Sequence, residues 1–187
     1  MPLKRLRRAD YRSVPWKNGL GVSQTLVQQP PAAGFDTVRW QVGITDITSD
    51  CPFSALDGLD RTFLVLSGAG VELTHATEAG STFSTLVKAQ QAPHRFRGDW
   101  PTTCRLLGGP VKVLNIMARR GEARAEVGYI SAGRLSVTKG PEEVLVAVEL
   151  EGLDAWLAEG PQAETCELKA DAGPLKIALI KILEEDR

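Results

Sequence analysis

The stretch Thr62–Thr74 reads TFLVLSGAGVELT, and it decides our interpretation of the fold. Two short runs rich in branched and apolar residues, Thr62–Leu66 and Val71–Thr74, flank the turn-forming segment Ser67–Gly70. Strand-prone runs that are separated by a short glycine-containing segment are typical of a β-hairpin. The sequence therefore predicts that these two runs pair as antiparallel strands.

Strand candidates of the same kind continue in both directions along the chain. Trp40–Ile47 alternates with a period of two, which places Trp40, Val42 and Ile44 on one face of a half-buried strand. Val144–Val148 is almost continuously apolar, as expected of a strand that is buried on both faces. Further candidates are residues 22–27, 83–87, 102–107, 111–118, 126–130, 134–138, 165–168 and 175–183. Many short strands at even spacing predict an all-β sandwich or barrel with little helix.

Three segments receive a different interpretation. Residues 93–99 are polar and rich in turn formers, so we expect a link without a strand. Leu153–Leu157 has the pattern of one helical turn. For the segment that starts at Leu175, a terminal helix competes with a strand, because its apolar residues do not keep a single parity.

Composition excludes several classes of protein. The 187 residues carry 22 basic and 23 acidic side chains, so net charge gives no reason to expect nucleic acid or an anionic membrane as a partner. No apolar run approaches the 18 or so residues of a membrane span, and the basic residues 4–12 precede no apolar segment of the signal-peptide kind. The three widely spaced cysteines fit a reducing compartment. We expect a cytoplasmic protein.

The segment Pro15–Gly21 has the composition of a ligand-facing corner. It combines Trp16, Lys17 and Asn18 with two glycines in seven positions. Glycine permits backbone conformations and close approaches that a Cβ atom blocks, and a loop that only turns the chain needs no tryptophan. We interpret this segment as part of a binding site.

Three separated blocks of sequence resemble the HutD/Ves family. They are Pro15–Gly21, then Pro52–Ser54 with Gly58–Arg61, then Leu107–Val111 with Asn115–Gly121. Trp40 and the link 96–102 are also similar to that family. The resemblance is strong over residues 5–121 and weak over the remainder.

This resemblance implies a fold and a function. The implied fold is a cupin-like bicupin, with two RmlC-like jelly-roll barrels in one chain. We expect residues 14–120 to form the first barrel and residues 121–187 the second, completed by strands from residues 1–30. The implied function is that of a bacterial accessory or regulatory protein of histidine utilisation, which binds a small acidic intermediate and has no established catalytic activity.

The sequence departs from the family pattern at two places. Leu20 stands where the family usually has the middle one of three glycines. Val113 and Leu114 occupy positions where the family usually has an acid before the aromatic-Asn pair. Both changes make the expected pocket more apolar.

Catalytic chemistry finds little support in the sequence. His75 and His94, the only histidines, lie 19 residues apart without an H-x-H motif, so we expect no metal and interpret both as exposed or structural residues. His75 comes just past a predicted strand end, and His94 lies in the polar link. The chain has no G-x-S-x-G motif, and the setting of Asp57 and Asp60 favours a turn over acid–base work. We name no catalytic residue and no cofactor.

Recognition of a small anion remains the best-supported chemistry. Arginine holds a carboxylate through two parallel N–H bonds, lysine adds a point charge, and asparagine suits an amide or formyl group. Aromatic side chains supply the apolar walls that small-molecule pockets usually have. The predicted ligand-binding residues are Trp16, Lys17, Asn18, Trp40, Phe53, Arg61 and Asn115.

Alternatives stay open for several of these residues. Core packing competes with ligand contact for Trp16 and Trp40, an ion pair competes for Arg61, and a buried amide that satisfies backbone groups competes for Asn115. At the level of function, we expect a protein that binds an anion of the formylglutamate, formiminoglutamate or urocanate type. An enzyme acting on such a metabolite without a metal, or a regulator that binds only protein, is the alternative. We also expect a homodimer, and no nucleic acid or membrane partner.

Overall fold

The structure is a computed structural model that describes residues 3–16, 19, 21–169 and 174–184, without the side chain of residue 175. The strands within these residues are β1 Lys4–Leu6, β2 Arg12–Pro15, β3 Val22–Gln29, β4 Trp40–Ile47, β5 Cys51–Pro52, β6 Leu59–Ser67, β7 Val71–Ala76, β8 Thr82–Val87, β9 His94–Arg97, β10 Thr102–Leu106, β11 Val111–Arg119, β12 Ala123–Ala132, β13 Arg134–Lys139, β14 Glu143–Glu149, β15 Ala155–Ala158, β16 Glu164–Lys169 and β17 Leu175–Glu184. A 3-10 helix at Arg8–Asp10 is the only helix in the described part of the chain. The predicted all-β class with little helix is confirmed.

The chain divides into two compact units. Residues 12–120 form one, which we call the central unit. Residues 1–11 and 121–187 form the other, which we call the terminal unit. The closure of each unit into a barrel stays a prediction.

The central unit consists of two antiparallel sheets with apolar side chains between them. Six strands follow the order β2-β3-β4-β11-β6-β9, and four follow β5-β10-β7-β8. The core between the sheets includes Phe63 and Val113 from the larger sheet and Leu73 and Cys104 from the smaller one. Alternation of side chains along each strand directs one set inward, and this inward set supplies the candidate site.

The predicted hairpin at Thr62–Thr74 is wrong in its pairing, although both strands exist. β6 belongs to the six-stranded sheet and pairs with β11 and β9, whereas β7 belongs to the four-stranded sheet and pairs with β10 and β8. Gly68 and Gly70 both have positive φ, at 100° and 109°, which favours glycine. A Cβ atom at Gly70 would lie 2.6 Å from the carbonyl oxygen of Val87. The turn is therefore a corner that carries the chain from one sheet to the other.

Two other local predictions also fail. The link predicted at 93–99 contains the strand β9, which pairs with β6 along Asp60–Phe63. The helical turn predicted at Leu153–Leu157 instead leads into β15, which pairs with β1 and β14. In both cases a neighbouring strand supplies hydrogen-bond partners that local propensity does not reveal.

The terminal unit contains a five-stranded sheet in the order β1-β15-β14-β17-β12 and a two-stranded sheet of β13 and β16. β14 is buried along Val144–Val148, as its apolar run predicts. The final segment forms β17, paired with β12 and β14, so the strand interpretation is correct and the competing helix is not. Among the described residues, no helix has the length and apolarity to cross a membrane.

Candidate functional site

A cavity of about 60 Å³ lies in the central unit, lined by side chains of its six-stranded sheet and of the loops at residues 35 and 53–56. A space of this size is several times what one water molecule needs. Its buried lining includes Ile47, Arg61, Phe63 and Asn115, while half-buried residues form the rim, including Trp16, Phe35, Phe53 and Ser54. The cavity is therefore mostly apolar and has few polar groups, as small-molecule sites usually are.

The strand register explains why these side chains converge. On β11, Asn115 stands opposite Phe63 of β6 and Gly43 of β4, while Met117 stands opposite Arg61. Directly opposite residues share a face of an antiparallel sheet. Because Gly43 has no side chain, no side chain from β4 fills the space directly beside Asn115.

Arg61 is the charged centre of the cavity. Its side chain is buried, with the residue 8% exposed, and its Nε donates a hydrogen bond to Oδ1 of Asn115 at 3.3 Å. Among the described residues, no carboxylate forms an ion pair with the guanidinium, and its two Nη groups have no hydrogen-bond acceptor. Burial lowers the pKa of Arg61 to about 10, so the group is still a cation at neutral pH.

Two aromatic rings hold the guanidinium. Its Cζ lies 4.7 Å from the ring centroid of Phe53 and 5.1 Å from that of Phe96. Contacts of this kind are attractive because the ring faces carry negative potential. They orient Arg61 without neutralising it, so a buried positive charge remains next to an open cavity.

A chain of hydrogen bonds fixes the rim at Trp16. The indole Nε1 donates to Oγ of Ser23 at 2.9 Å, and that hydroxyl shares a hydrogen bond of 2.6 Å with Oγ1 of Thr45. A Cβ atom at Gly21 would lie 2.9 Å from the Trp16 ring. Glycine at position 21 therefore allows the indole to lie across the corner and against the cavity.

A network of charges braces the loop that follows Phe53. Oδ1 of Asp99 accepts a hydrogen bond from the backbone N–H of Gly58 at 2.8 Å, and its Oδ2 accepts one from Arg120 at 2.5 Å. Burial alone would raise the pKa of Asp99, but these two donors outweigh it and lower that pKa. Arg120 also pairs with Asp60 at 2.8 Å. The loop that carries Leu56 into the cavity is thus anchored from outside.

The structure brings together four of the seven predicted site residues, namely Trp16, Phe53, Arg61 and Asn115. Trp40 does not line the cavity. It stands opposite Ala118 on the other face of β4 from Gly43 and Thr45, and it is 2% exposed in the core. Core packing, the alternative that the sequence left open, describes its position. Lys17 and Asn18 lie outside the described residues, as does Leu20.

Four polar or polarisable cavity residues were not predicted as site residues from the sequence, namely Ser23, Thr45, Ser54 and Met117. Ser23 and Thr45 alternate with other residues on β3 and β4, and Met117 follows Asn115 by two positions on β11. The period of two after Asn115 was a usable signal for Met117. The hydroxyls of Ser23 and Thr45 gave none, because such residues are common on any strand. Val113, one of the family departures, also lines the cavity.

The two histidines, which we interpreted from the sequence as exposed or structural residues, contact each other. His75 lies within β7 and is fully buried, and its Nε2 is 2.8 Å from Nε2 of His94 on β9. Nδ1 of His75 is 2.9 Å from Oγ1 of Thr102. Within the described part of the chain, no group of three or more histidine, cysteine, aspartate or glutamate residues has a geometry that could hold a metal ion.

Comparison with solved structures places this fold among known ones. The chain superposes on a conserved protein of unknown function from Pseudomonas aeruginosa PAO1 with a TM-score of 0.81 and 25% identity, over 98% of this chain and 100% of that one. HutD from Pseudomonas fluorescens SBW25, solved in a formate condition, gives 0.76 and 24% over the same shares. Bacillus subtilis oxalate decarboxylase, a cupin-fold enzyme, gives 0.59 at 6% identity over 100% of this chain and 78% of that one. The expected cupin-like fold is confirmed.

Sequence comparison gives the family. An uncharacterised 21.2 kDa protein from the hutC 3′ region of Pseudomonas putida is 30% identical over 127 residues, which are 68% of this chain and 64% of that protein. The match thus spans less than two thirds of that relative. The model of the HutD family matches residues 8–173, which is most of the chain. The chain therefore belongs to the HutD family.

Proposed function

We propose that this protein binds a small organic anion in the central-unit cavity and serves as an accessory or regulatory protein of histidine utilisation. The observation that carries the proposal is Arg61, a buried guanidinium that faces a cavity and has no carboxylate partner among the described residues. Membership of the HutD family and a relative from the hutC 3′ region support the metabolic setting.

A buried charge without a partner is costly to the fold. Removing an ion from water carries a penalty of several kcal/mol that a partner charge offsets. Proteins therefore rarely bury arginine without a carboxylate. Arg61 has only the amide of Asn115 and two aromatic faces around it. An anionic ligand supplies the missing charge.

The geometry favours a carboxylate as the ligand group. The two free Nη groups of a guanidinium form parallel hydrogen bonds to the two oxygens of such a group. Asn115 accepts from Arg61 through Oδ1, which leaves its Nδ2 amide as a donor at the same wall. Phe53, Phe63 and Trp16 bound the space with apolar surface. We propose that the carboxylate end of a formylglutamate-, formiminoglutamate- or urocanate-type compound enters here.

Thermal unfolding with matched pairs of compounds tests this function. Formate and formamide have nearly the same size, but only formate is charged, and a ligand that binds the native state raises the unfolding temperature. We expect formate, formylglutamate or urocanate to raise the midpoint and formamide to leave it unchanged.

Two variants make the test specific for Arg61. In Arg61→Met the shift by anions should disappear. Arg105→Gln is the matched control, because Arg105 pairs with Glu72 at the surface and does not line the cavity, so its shift should equal that of the wild type. Equal shifts in Arg61→Met and in the wild type would contradict the proposed site.

A further inference from the structure

We propose that the His75–His94 pair couples anion binding at Arg61 to the uptake of one proton. The proposal rests on the anion site proposed above and assigns to it a regulation by pH. Its basis is the contact between the two imidazoles and the packed rings that connect this pair with Arg61.

The hydrogen bonds define the protonation state of the pair. Thr102 donates its hydroxyl hydrogen to the carbonyl oxygen of Trp100 at 3.0 Å, so its oxygen is left to accept from Nδ1–H of His75. Neutral His75 then has a lone pair at Nε2, and this atom accepts from Nε2–H of His94 at 2.8 Å. In this arrangement every polar atom of His75 is satisfied and both rings are neutral.

The arrangement leaves one position for an added proton. Nδ1 of His94 has no hydrogen-bond partner among the described residues. A proton there produces a His94 cation that still donates to His75 through Nε2. A second proton on His75 would place two N–H groups against each other. The pair therefore takes up one proton and not two.

Packed rings connect this pair with the cavity. Phe96 contacts both sites, with its ring centroid 4.6 Å from that of His75 and 5.1 Å from Cζ of Arg61. The same ring stacks on His94 at 5.5 Å. The guanidinium and the pair thus share one side chain as a wall, in an interior that screens charge poorly.

Side chains from three neighbouring strands surround the pair. β6 contributes the charged Arg61. β10 contributes the hydroxyl of Thr102 and, two residues further along the strand, the thiol of Cys104. β8 contributes the uncharged Phe83, at 5.1 Å from His75. Burial, then His94, then Arg61 lower the pKa of His75 to about 4, and burial lowers the pKa of His94. The pair is accordingly neutral at pH 7 in the absence of an anion.

The sign of the coupling follows from these charges. An anion at Arg61 offsets the positive charge that opposes protonation of the pair, so it raises the pKa of the pair. By reciprocity, protonation of the pair strengthens anion binding. If the coupling is about tenfold, affinity should be higher at pH 5.0 than at pH 7.5, by no more than that factor.

Calorimetric titration with formate in buffers of different ionisation enthalpy measures the protons directly. Formate stays largely ionised at both pH values, as carboxyl groups titrate near pH 4. We expect uptake of a fraction of a proton per formate at pH 5.0 and a smaller uptake at pH 7.5. The chain has only two histidines, and His94→Gln distinguishes their uptake from that of carboxyl groups, which also titrate in part near pH 5.

The variant His94→Gln separates the outcomes. Glutamine keeps an N–H donor for His75 but takes up no proton, so uptake should vanish while affinity at pH 7.5 stays within about twofold. Binding whose heat is independent of buffer at pH 5.0, or uptake that persists in His94→Gln, overturns the coupling and leaves the anion site intact. Absence of formate binding to the wild type at every pH overturns the anion site, and the coupling falls with it.

A titration of the wild type by nuclear magnetic resonance needs no variant. The nitrogen signals of the two imidazoles should show one protonation step for the pair, centred below the ordinary pKa of histidine without formate and at higher pH with formate present. A midpoint that formate leaves in place overturns the proposal.

Discussion

Replacement of Arg61 by methionine should leave the free energy of unfolding nearly unchanged, although the residue is buried. Burial lowers the pKa of Arg61 to about 10, against an ordinary value of about 12.5. At about 1.4 kcal/mol for each pH unit, the charged form is disfavoured by about 3 kcal/mol in the folded state. Methionine removes this penalty and keeps the apolar contacts of the stem.

The losses in Arg61→Met are of similar size. Two cation–π contacts, to Phe53 and Phe96, are worth about 1 kcal/mol each. The long hydrogen bond to Asn115 is worth about 1 kcal/mol. Gain and loss cancel to within about 1 kcal/mol, which corresponds to a change of no more than about 4 °C in the unfolding temperature.

Urea unfolding followed by circular dichroism, in a buffer poor in small anions, measures this change. Arg119→Met is the matched control, because Arg119 donates to the carbonyl oxygens of Val38 at 2.9 Å and Phe35 at 2.7 Å and has a structural role. We expect the control to lose about 2–3 kcal/mol. An equal loss in Arg61→Met would refute the reasoning, since it would make Arg61 a structural residue and not an unneutralised charge.

Three further substitutions test the surroundings of the cavity. Asn115→Asp places a carboxylate beside Arg61, so it should stabilise the fold by about 1–3 kcal/mol at pH 7 and abolish the shift of the unfolding temperature by formate. Because Arg61 lowers the pKa of that carboxyl in the folded state, the gain in stability should disappear as pH falls below about 4. Lower stability of the variant in urea unfolding at pH 7 would contradict this. Gly98→Ala should cost about 1–3 kcal/mol in the same assay, since its Cβ would lie 2.7 Å from the carbonyl oxygens of Leu56 and Leu59; an unchanged midpoint would show that the loop gives way. Asp99→Asn should lower the urea midpoint more at pH 7 than at pH 3, because the lowered pKa of Asp99 contributes stability that is lost progressively as the pH falls below the ordinary value of the group. Equal losses at both pH values would contradict that reason.

The sequence predicted the strands well and their partners poorly. Periodicity in Trp40–Ile47 and the apolar run Val144–Val148 report burial, which is a local property, and both became strands. The corner at Ser67–Gly70 shows the limit, because a short glycine-rich turn between two strands has the same composition whether they pair or diverge. Whether the two strands pair depends on the rest of the chain, because β6 pairs with β11 and β7 pairs with β10 instead of with each other.

The candidate site was predictable where the residue type was unusual for its place. Arg61 and Asn115 are polar residues within apolar strands, and both line the cavity. Trp40 has the same parity signal as its neighbours Val42 and Ile44, and the structure places all three on the face of β4 that turns away from the cavity. The contact between His75 and His94 depends on how the two sheets pack, and a separation of 19 residues carries no information about it.

The position of a bound anion tests the central claim most directly. Crystals of the protein soaked in bromide give an anomalous difference map in which the ion is identified by its own scattering. We predict a peak inside the central-unit cavity, within hydrogen-bond distance of the Arg61 Nη groups, and its loss in Arg61→Met. A map with bromide at surface sites and none at Arg61 would contradict the account.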